Sequence, residues 1–301
     1  MIQLPPAVRP GDRVGVAALS GVVDPERLEA GIEALHGLGF EPLLADNLSG
    51  GSGLFAGEDE RRLAAFHDLL AEPGLRGVIF ARGGHGLLRL LPRLDWERLA
   101  SRPLAYVGYS DLTPFLHEVV RRLGVAAFHG PMVAADLARG LSDAETDSLL
   151  NALAGEMPVS LPIRCADGAD SCQGRLMGGC LSLLTATLGT PFAPVLDEAI
   201  LFWEDTDEPL YRLDRMLTQL RLSGSLAGLK GMVVGELRPA DDTPDLQPTL
   251  PEIVEELARA HGWCVAYGCS SGHCQPNLTL PLGLQARLDA DAGQLVVGEP
   301  G

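Results

Sequence analysis

Hydrophobic and polar positions follow two different periods in the first half of the chain. Short apolar runs such as RVGVAAL and RGVIFA are typical of buried strands. Between them lie segments with apolar residues at helical spacing, such as DPERLEAGIEALHGLG, where Asp24 is placed to cap a helix and Pro25 to begin it. Strands that alternate with helices predict βαβ units and a parallel sheet, so we expect an α/β fold here.

The pattern changes after residue 156. Residues 157–174 are punctuated by Pro, Gly and Asp without a helical period, and we interpret them as a linker. Beyond them, AILFWE and KGMVVGE are typical of strands, and QARLDADAGQLVVGE predicts a β-hairpin. Since 301 residues that are 46% hydrophobic favour two cores, we predict an α/β N-terminal domain (1–156) and a β-rich C-terminal domain (175–301).

Ser110 lies where the period changes within LAYVGYSDLTPFLH. The run before it is strand-like, and the apolar residues after it keep helical spacing as far as Gly124. A serine at such a turn is either a helix cap or a nucleophile with its hydroxyl exposed beside helix N–H groups. Because GYSDL lacks the second glycine of G-x-S-x-G, local evidence alone favours the cap.

A serine nucleophile needs a base and a carboxylate that orients the base. Four of the seven histidines fall in or at the end of helix-like segments, whereas His85, His129 and His273 stand apart in loops. Glu204 closes the apolar run AILFWE, where a buried charge needs a partner. Alternatively, Glu204 or an acidic residue just after it supplies the charge at a helix N-terminus.

Cysteines and histidines cluster near the end of the chain and suggest a possible zinc site. The cluster spans 14 positions, but no paired C-x₂-C spacing occurs in it, so we expect no metal. Its members are His261, Cys264, Cys269, His273 and Cys274.

The glycine-rich stretch ARGGHG raises the question of a nucleotide site. It fits neither G-x-G-x-x-G nor the P-loop, and we expect no nucleotide cofactor. A better explanation of Gly83 and Gly84 is that they let the backbone approach a substrate closely, with their N–H groups available to donate hydrogen bonds.

Composition limits the classes of binding partner that we expect. The chain has 23 Lys and Arg against 40 Asp and Glu, and the net charge of −17 is spread along it, so we expect no binding to nucleic acid or anionic membranes. No apolar run reaches the length of a membrane span, and the first residues lack a signal-peptide pattern, so we expect a cytoplasmic protein. Six cysteines are too few for a dense disulfide framework, and we expect reduced thiols.

Eight motifs together resemble the murein LD-carboxypeptidase family of serine peptidases, which also includes microcin self-immunity peptidases. In order, they are RPGDRVGVAALS, ARGGHGLLRLLPRLD, YVGYSDLT, FHGPM, MGGCLSLLTATLGTP, ILFWED, YRLDRMLTQL and GHCQPNLTLPLG. The resemblance covers nearly the whole chain and favours the nucleophile over the cap at Ser110.

The resemblance implies the roles of five residues. Ser110 matches the family's nucleophile, Glu204 its triad acid and His273 its general base, while the backbone N–H groups of Gly84 and Asp111 match its oxyanion hole. It implies hydrolysis of an L,D-peptide bond that releases terminal D-Ala from a small peptide, murein tetrapeptide, through an acyl-enzyme. It also implies a homodimer with a parallel α/β lobe and a β-rich lobe. Because the side chains supply nucleophile and base, we expect neither metal nor cofactor.

Two other functions stay open. His85 stands where the family has a tyrosine, and Arg82 matches a family position to which we assign no role. The alternative within the family is therefore a peptidase that cleaves an aminoacyl-nucleotide antibiotic. The alternative outside it is a non-catalytic small-molecule binding module, which would have no need of a serine, a glutamate and a histidine together.

Overall fold

The computed structural model describes residues 2–51, 53–238 and 248–299. The chain divides into two compact units, and each is formed by two separate stretches. The first unit comprises Met1–Glu156 and Pro276–Pro281, and the second comprises Met157–Gln275 and Leu282–Gly301.

The strands within the described residues are given in chain order. They are β1 (Arg13–Ala17), β2 (Glu41–Leu44), β3 (Leu75–Phe80), β4 (Ala105–Gly108), β5 (Ala127–His129), β6 (Val159–Pro162), β7 (Arg164–Cys165), β8 (Cys172–Cys180), β9 (Ala199–Thr206), β10 (Gly231–Arg238), β11 (Cys264–Cys269), β12 (Leu280–Leu282), β13 (Gln285–Asp289) and β14 (Gln294–Val297).

The α-helices of the same ranges are α1 (Pro25–Gly37), α2 (Asp59–Ala71), α3 (Trp96–Ser101), α4 (Thr113–Glu118), α5 (Asp143–Ala154), α6 (Leu181–Ala186), α7 (Leu210–Leu222) and α8 (Leu250–Arg259). Shorter 3₁₀ turns cover Leu87–Arg89, Leu91–Arg93, Ser110–Leu112 and Leu137–Arg139, and a π turn covers Val119–Leu123.

The first unit is built on a six-stranded sheet of order β12-β5-β4-β3-β1-β2. Strands β1 to β5 pair with one another in parallel, which confirms the α/β class expected for this half. Asp24 caps α1 as predicted, since its side chain accepts a hydrogen bond from Arg27 N at 3.0 Å. The apolar segment after ARGGHG forms two short 3₁₀ turns, because Pro92 has no N–H with which to continue a longer helix.

The second unit is built on an eight-stranded sheet of order β6-β14-β13-β8-β9-β10-β11-β7. Its strands β8 to β11 are parallel and its outer strands antiparallel, so the lobe is rich in β-structure as expected. The predicted hairpin is confirmed as β13 paired with β14.

Residues 157–174 are not the linker that their composition suggested. They contain β6 and β7, which are the two edge strands of the eight-stranded sheet. Proline is tolerated on edge strands, where its missing N–H breaks no internal ladder, and Pro158 and Pro162 bound β6. The punctuation therefore marks short edge strands.

The C-terminal part of the chain also differs from the single block that we expected, because residues 276–281 belong to the first unit. There, Asn277 N donates to Glu145 Oε1 at 2.8 Å, and Thr279 N donates to Ser148 Oγ at 2.9 Å. Both Asn277 and Thr279 are fully buried, and β12, which begins next, lies beside β5. The returning segment is thus part of the core of the first unit.

Glu145 is the buried charge that holds this segment. It forms a capping box with Ser142 at the start of α5 and an ion pair with Arg139. Burial raises the pKa of Glu145, but hydrogen bonds from Arg139, from the backbone of Asn277 and from Ser142 outweigh burial and lower this pKa to about 2. The carboxylate is therefore charged wherever the protein is folded near neutral pH.

We expect Glu145→Gln to lower the free energy of unfolding by about 2 to 4 kcal/mol at pH 7, because it removes the closer of the two buried carboxylates that pair with Arg139 and leaves only Asp136. The folded pKa lies below the ordinary value of 4.5, so the contribution of the charge is complete above pH 4.5 and is lost as the pH falls toward 2. Urea unfolding across this range should show the variant and the wild type converging. Exposed Glu33→Gln is the control, and an equal deficit at every pH would contradict the electrostatic origin.

Candidate active site

Ser110 lies in a sharp turn between β4 and α4. Its φ of 61° is in the left-handed region, which among the described non-glycine residues only Glu198 and Asp207 share. The 3₁₀ turn that begins at Ser110 has no side-chain cap, so the capping explanation finds no support in the structure. A strained strand-to-helix turn with a half-exposed serine is the geometry of a nucleophile elbow.

The glycine-rich loop lies against Ser110. A Cβ at Gly83 would lie 2.8 Å from Ser110 Cβ, 3.0 Å from Ser110 Oγ and 3.3 Å from Asp111 N, so a larger residue would displace the serine. Gly84 has a φ of 114°, which also favours glycine. No hydrogen bond to another described residue engages the N–H of Gly84 or of Asp111. The arrangement therefore offers two backbone donors next to the hydroxyl.

Three side chains hold this loop in place. Arg62, which is fully buried, donates from Nη1 to Gly86 O at 3.2 Å, and Arg82 donates from Nε to Gly83 O at 3.2 Å. Asp111 Oδ2 accepts from Leu87 N at 2.9 Å, which ties the loop to the serine turn. Sequence reasoning missed Arg62. The signal for it was that Arg62 falls on the apolar, buried face of α2, where a charged side chain needs a buried hydrogen-bond acceptor.

Two of the three histidines predicted to lie in loops, His129 and His85, belong to the first unit. His129 is not in a loop, because it is the last residue of β5, fully buried, with its ring centroid 5.8 Å from that of Tyr109. The apolar residues before it continue the strand up to the histidine, which the sequence pattern did not indicate. His85 is exposed, follows the glycine pair as expected and stacks on Phe55 with ring centroids 5.7 Å apart.

In the second unit the structure joins Glu204 to His273. Glu204 is fully buried, and its Oε2 lies 2.7 Å from Nδ1 of His273 and accepts from the backbone N–H of the same residue at 3.0 Å. The carboxylate thus fixes the imidazole by two contacts and favours the tautomer with a proton on Nδ1. Nε2 is then the nitrogen that would exchange a proton with a reacting group.

Two glycines leave room for Glu204. A Cβ at Gly272 would lie 2.4 Å from Glu204 Cδ, and one at Gly235 would lie 2.9 Å from Glu204 Cβ. Gly272 also has a φ of 99°. Gly272, next to the histidine in SSGHC, therefore cannot be replaced by a larger residue unless the Glu204 carboxylate moves. Sequence reasoning did not find this requirement.

The acidic neighbour of Glu204 has a different partner. Asp205, also buried, accepts from Ser182 N at 2.7 Å and from Thr206 N at 2.9 Å, so it serves the start of α6. Burial raises the pKa of Asp205, and burial together with the two carboxylates raises the pKa of the Cys180 thiol. Strand β9 continues to Thr206, two residues beyond the expected end at Glu204, because Asp205 is satisfied by these backbone donors.

The clustered histidines and cysteines are not assembled as metal ligands. Within residues 2–51, 53–238 and 248–299, no group of three or more His, Cys, Asp or Glu is placed to hold a metal ion. His273 contacts Glu204, and His261 stacks on Trp263 with ring centroids 4.4 Å apart.

Comparison with known proteins assigns the chain to a family. The LD-carboxypeptidase N-terminal domain matches residues 14–130, and the LD-carboxypeptidase C-terminal domain matches residues 173–288. The probable murein peptide carboxypeptidase of Bacillus subtilis is 33% identical over 95% of this chain and 91% of its own. The chain belongs to the LD-carboxypeptidase family. It is accordingly an enzyme, a hydrolase of the carboxypeptidase class.

Solved structures of two relatives have the same fold as this chain. The muramoyltetrapeptide carboxypeptidase of Oxalobacter formigenes has a TM-score of 0.86 and 31% identity, covering 95% of this chain and 99% of its own. MccF in complex with glutamyl sulfamoyl guanosine has a TM-score of 0.90 and 23% identity, covering 99% and 98%. At that identity the second match shows the fold alone.

Among the helices of the described residues, none combines the length and the apolar character needed to cross a bilayer.

We expect Gly272→Ala to lower kcat/KM for peptide hydrolysis by about 100-fold, because its methyl group would push the Glu204 carboxylate away from the imidazole. Gly268→Ala is the matched control: Gly268 also has a positive φ, 79°, but its Cβ would meet nothing within 4 Å. Steady-state kinetics and thermal unfolding of both variants separate displacement of Glu204 from backbone strain. Equal kinetic losses in the two variants would contradict the prediction.

Proposed function

We propose that Ser110, His273 and Glu204 act as a catalytic triad that hydrolyses an L,D-peptide bond and releases terminal D-Ala from murein tetrapeptide. The observation that carries the proposal is the contact of 2.7 Å between His273 Nδ1 and the fully buried Glu204 carboxylate. The nucleophile-elbow geometry of Ser110 and the names of the Bacillus and Oxalobacter relatives support it further.

The proposed reaction begins with proton transfer. Nε2 of His273 takes the proton of Ser110 while Oγ attacks the carbonyl carbon of the scissile bond. The oxyanion accepts hydrogen bonds from the N–H groups of Gly84 and Asp111, and Glu204 stabilises the imidazolium. His273 then gives the proton to the amine of the leaving D-Ala. Water, deprotonated by His273, attacks the acyl-enzyme and restores Ser110.

We also propose that the enzyme works in the cytoplasm and forms a homodimer. The first part is supported by the cysteines: all six lie in the described residues, and none is in a disulfide, as is usual in a reducing compartment. The second part is supported by the family resemblance.

Cleavage of an aminoacyl-nucleotide antibiotic is the second candidate function. It is favoured by the exposed His85 ring stacked on Phe55, an aromatic surface beside the glycine loop on which a nucleobase can stack. MccF, which has the same fold, has been solved with glutamyl sulfamoyl guanosine.

Substrate assays distinguish the two functions. The purified protein is incubated separately with murein tetrapeptide and with a hydrolysable aminoacyl-nucleotide, and products are identified by mass spectrometry. Release of D-Ala from the tetrapeptide at the higher kcat/KM supports the first function. Cleavage of the nucleotide conjugate alone would replace it with the second.

We expect Ser110→Ala and His273→Ala each to lower kcat by at least about 10⁴-fold with little change in melting temperature, because triad members act as a unit. Glu204→Gln should be similarly severe, since an amide cannot stabilise the imidazolium. Exposed His36→Ala is the control for the histidine substitution. D-Ala release near the wild-type rate in Ser110→Ala would refute the nucleophile assignment.

Chelators test the absence of a metal in the proposed mechanism. Because Ser110 and His273 would supply the nucleophile and base, prolonged dialysis against a strong chelator should leave the rate of D-Ala release unchanged. Elemental analysis should find no stoichiometric zinc. Loss of activity that zinc restores would overturn this part of the proposal.

A further inference from the structure

Two cysteines begin parallel strands at one end of the second sheet. Cys172 is the first residue of β8 and Cys264 the first residue of β11, and both strands run parallel to the strands beside them within the β8 to β11 segment. Glu204 lies toward the carboxyl end of β9, and His273 follows the carboxyl end of β11. The two thiols are therefore at the opposite end of the sheet from the triad residues of this unit.

The sulfur of Cys172 occupies space left by a missing side chain. A Cβ at Gly231 would lie only 2.5 Å from Cys172 Sγ and 3.1 Å from Cys264 O. Gly231 is the register partner of Cys264 in the parallel pair of β10 and β11, and paired residues of adjacent strands project to the same face. Cys172 Sγ therefore lies directly beside the side chain of Cys264.

Electrostatics and burial distinguish the two thiols. A hydrogen bond with Cys264 lowers the pKa of Cys172, and the same interaction raises the pKa of Cys264. Cys172 is partly exposed, whereas Cys264 is 5% exposed. The accessible thiol is thus also the one that ionises more readily, the combination that makes a cysteine reactive.

The other cysteines have different settings. Cys165, on β7, pairs in register with Ala266 and is a third thiol near Cys264, where burial raises its pKa. The remaining three are buried, and burial raises the pKa of Cys180 and of Cys269. A reagent that selects thiolates therefore meets Cys172 first.

We propose that Cys172 and Cys264 are a redox-sensitive dithiol that hydrogen peroxide converts to a disulfide. The Cys172 thiolate attacks one peroxide oxygen, the O–O bond breaks, and the departing hydroxide takes a proton to leave as water. The Cys264 sulfur then attacks the sulfur of the sulfenic acid, and a second water departs with the Cys264 proton. Two thiols and one peroxide thus give one disulfide and two water molecules.

The proposed disulfide joins the first residues of β8 and β11 and is independent of the catalytic assignment. It closes a long loop of chain, from residue 172 to residue 264, and such cross-links stabilise by restricting the unfolded chain. We expect the oxidised protein to melt roughly 5 °C or more above the reduced protein.

The test is peptide mapping of the full-length protein. The protein is treated with hydrogen peroxide, its remaining thiols are alkylated, and its digest is examined without reduction by mass spectrometry. We expect a linked peptide pair containing Cys172 and Cys264 that dithiothreitol separates, with Cys180, Cys269 and Cys274 recovered as alkylated thiols. Over-oxidised Cys172 without a disulfide, or a disulfide that uses Cys165 instead, would overturn the proposal.

Three variants keep the test independent of folding defects. Gly231→Ala retains all six cysteines but places a methyl group where Cys172 Sγ lies, so disulfide formation should slow by at least about 10-fold. Gly37→Ala, where a Cβ meets nothing within 4 Å, is its control. Cys165→Ser should form the disulfide at the wild-type rate. A slowed reaction in Cys165→Ser, or an unchanged one in a folded Gly231→Ala protein, would contradict the assignment.

Discussion

A fully buried carboxylate destabilises a protein unless its charge is matched, and Glu204 is the charge around which the end of the second sheet is arranged. Its partner is His273, which contributes both its ring and its backbone N–H to the same oxygen. Gly235 and Gly272 supply the space that this pair needs. The loop after β11 therefore cannot relax without leaving a buried charge uncompensated, and this ties the position of the imidazole to the stability of the unit.

In the first unit, the candidate nucleophile is positioned by a strained backbone turn. Ser110 is held at a positive φ, and the Gly83 backbone approaches it more closely than any side chain would permit. Such a turn persists only where its surroundings determine it, and here Asp111 links it to the loop that Arg62 and Arg82 also hold. The hydroxyl and the two backbone donors are thus positioned by contacts on both sides of the loop.

Local patterns predicted those features that depend on neighbouring residues. Three such features could be predicted because the residues that cause them lie within a few positions of one another: the change of period at Ser110, the cap at Asp24 and the hairpin of β13 and β14. The edge strands β6 and β7 were not, since β6 pairs with β14 at the far end of the chain and its own composition is that of a turn. The return of residues 276–281 to the first unit was missed for the same reason.

The candidate site shows the same division. Sequence patterns marked Glu204 and His273 separately, as a charge ending an apolar run and as a histidine in an irregular loop, and only the family resemblance paired them. Gly272 and Arg62 were missed because their importance lies in what touches them across the fold. The catalytic roles of Ser110, Glu204 and His273, and the oxyanion-hole role of Gly84 and Asp111, stay predictions, and the geometry of the Ser110 turn and of the Glu204–His273 contact agrees with them.

The return of residues 276–281 also imposes an order on biosynthesis. Until β12 has left the ribosome, the sheet of the first unit ends at β5, whose unpaired edge is open to strands of other nascent chains. The delay between residue 156 and residue 282 lasts roughly 6 to 25 s at ordinary rates of translation. During that time Glu145 lacks the hydrogen bond from Asn277 N. The first unit, although it is synthesised first, therefore cannot be completed until nearly the whole chain has been made.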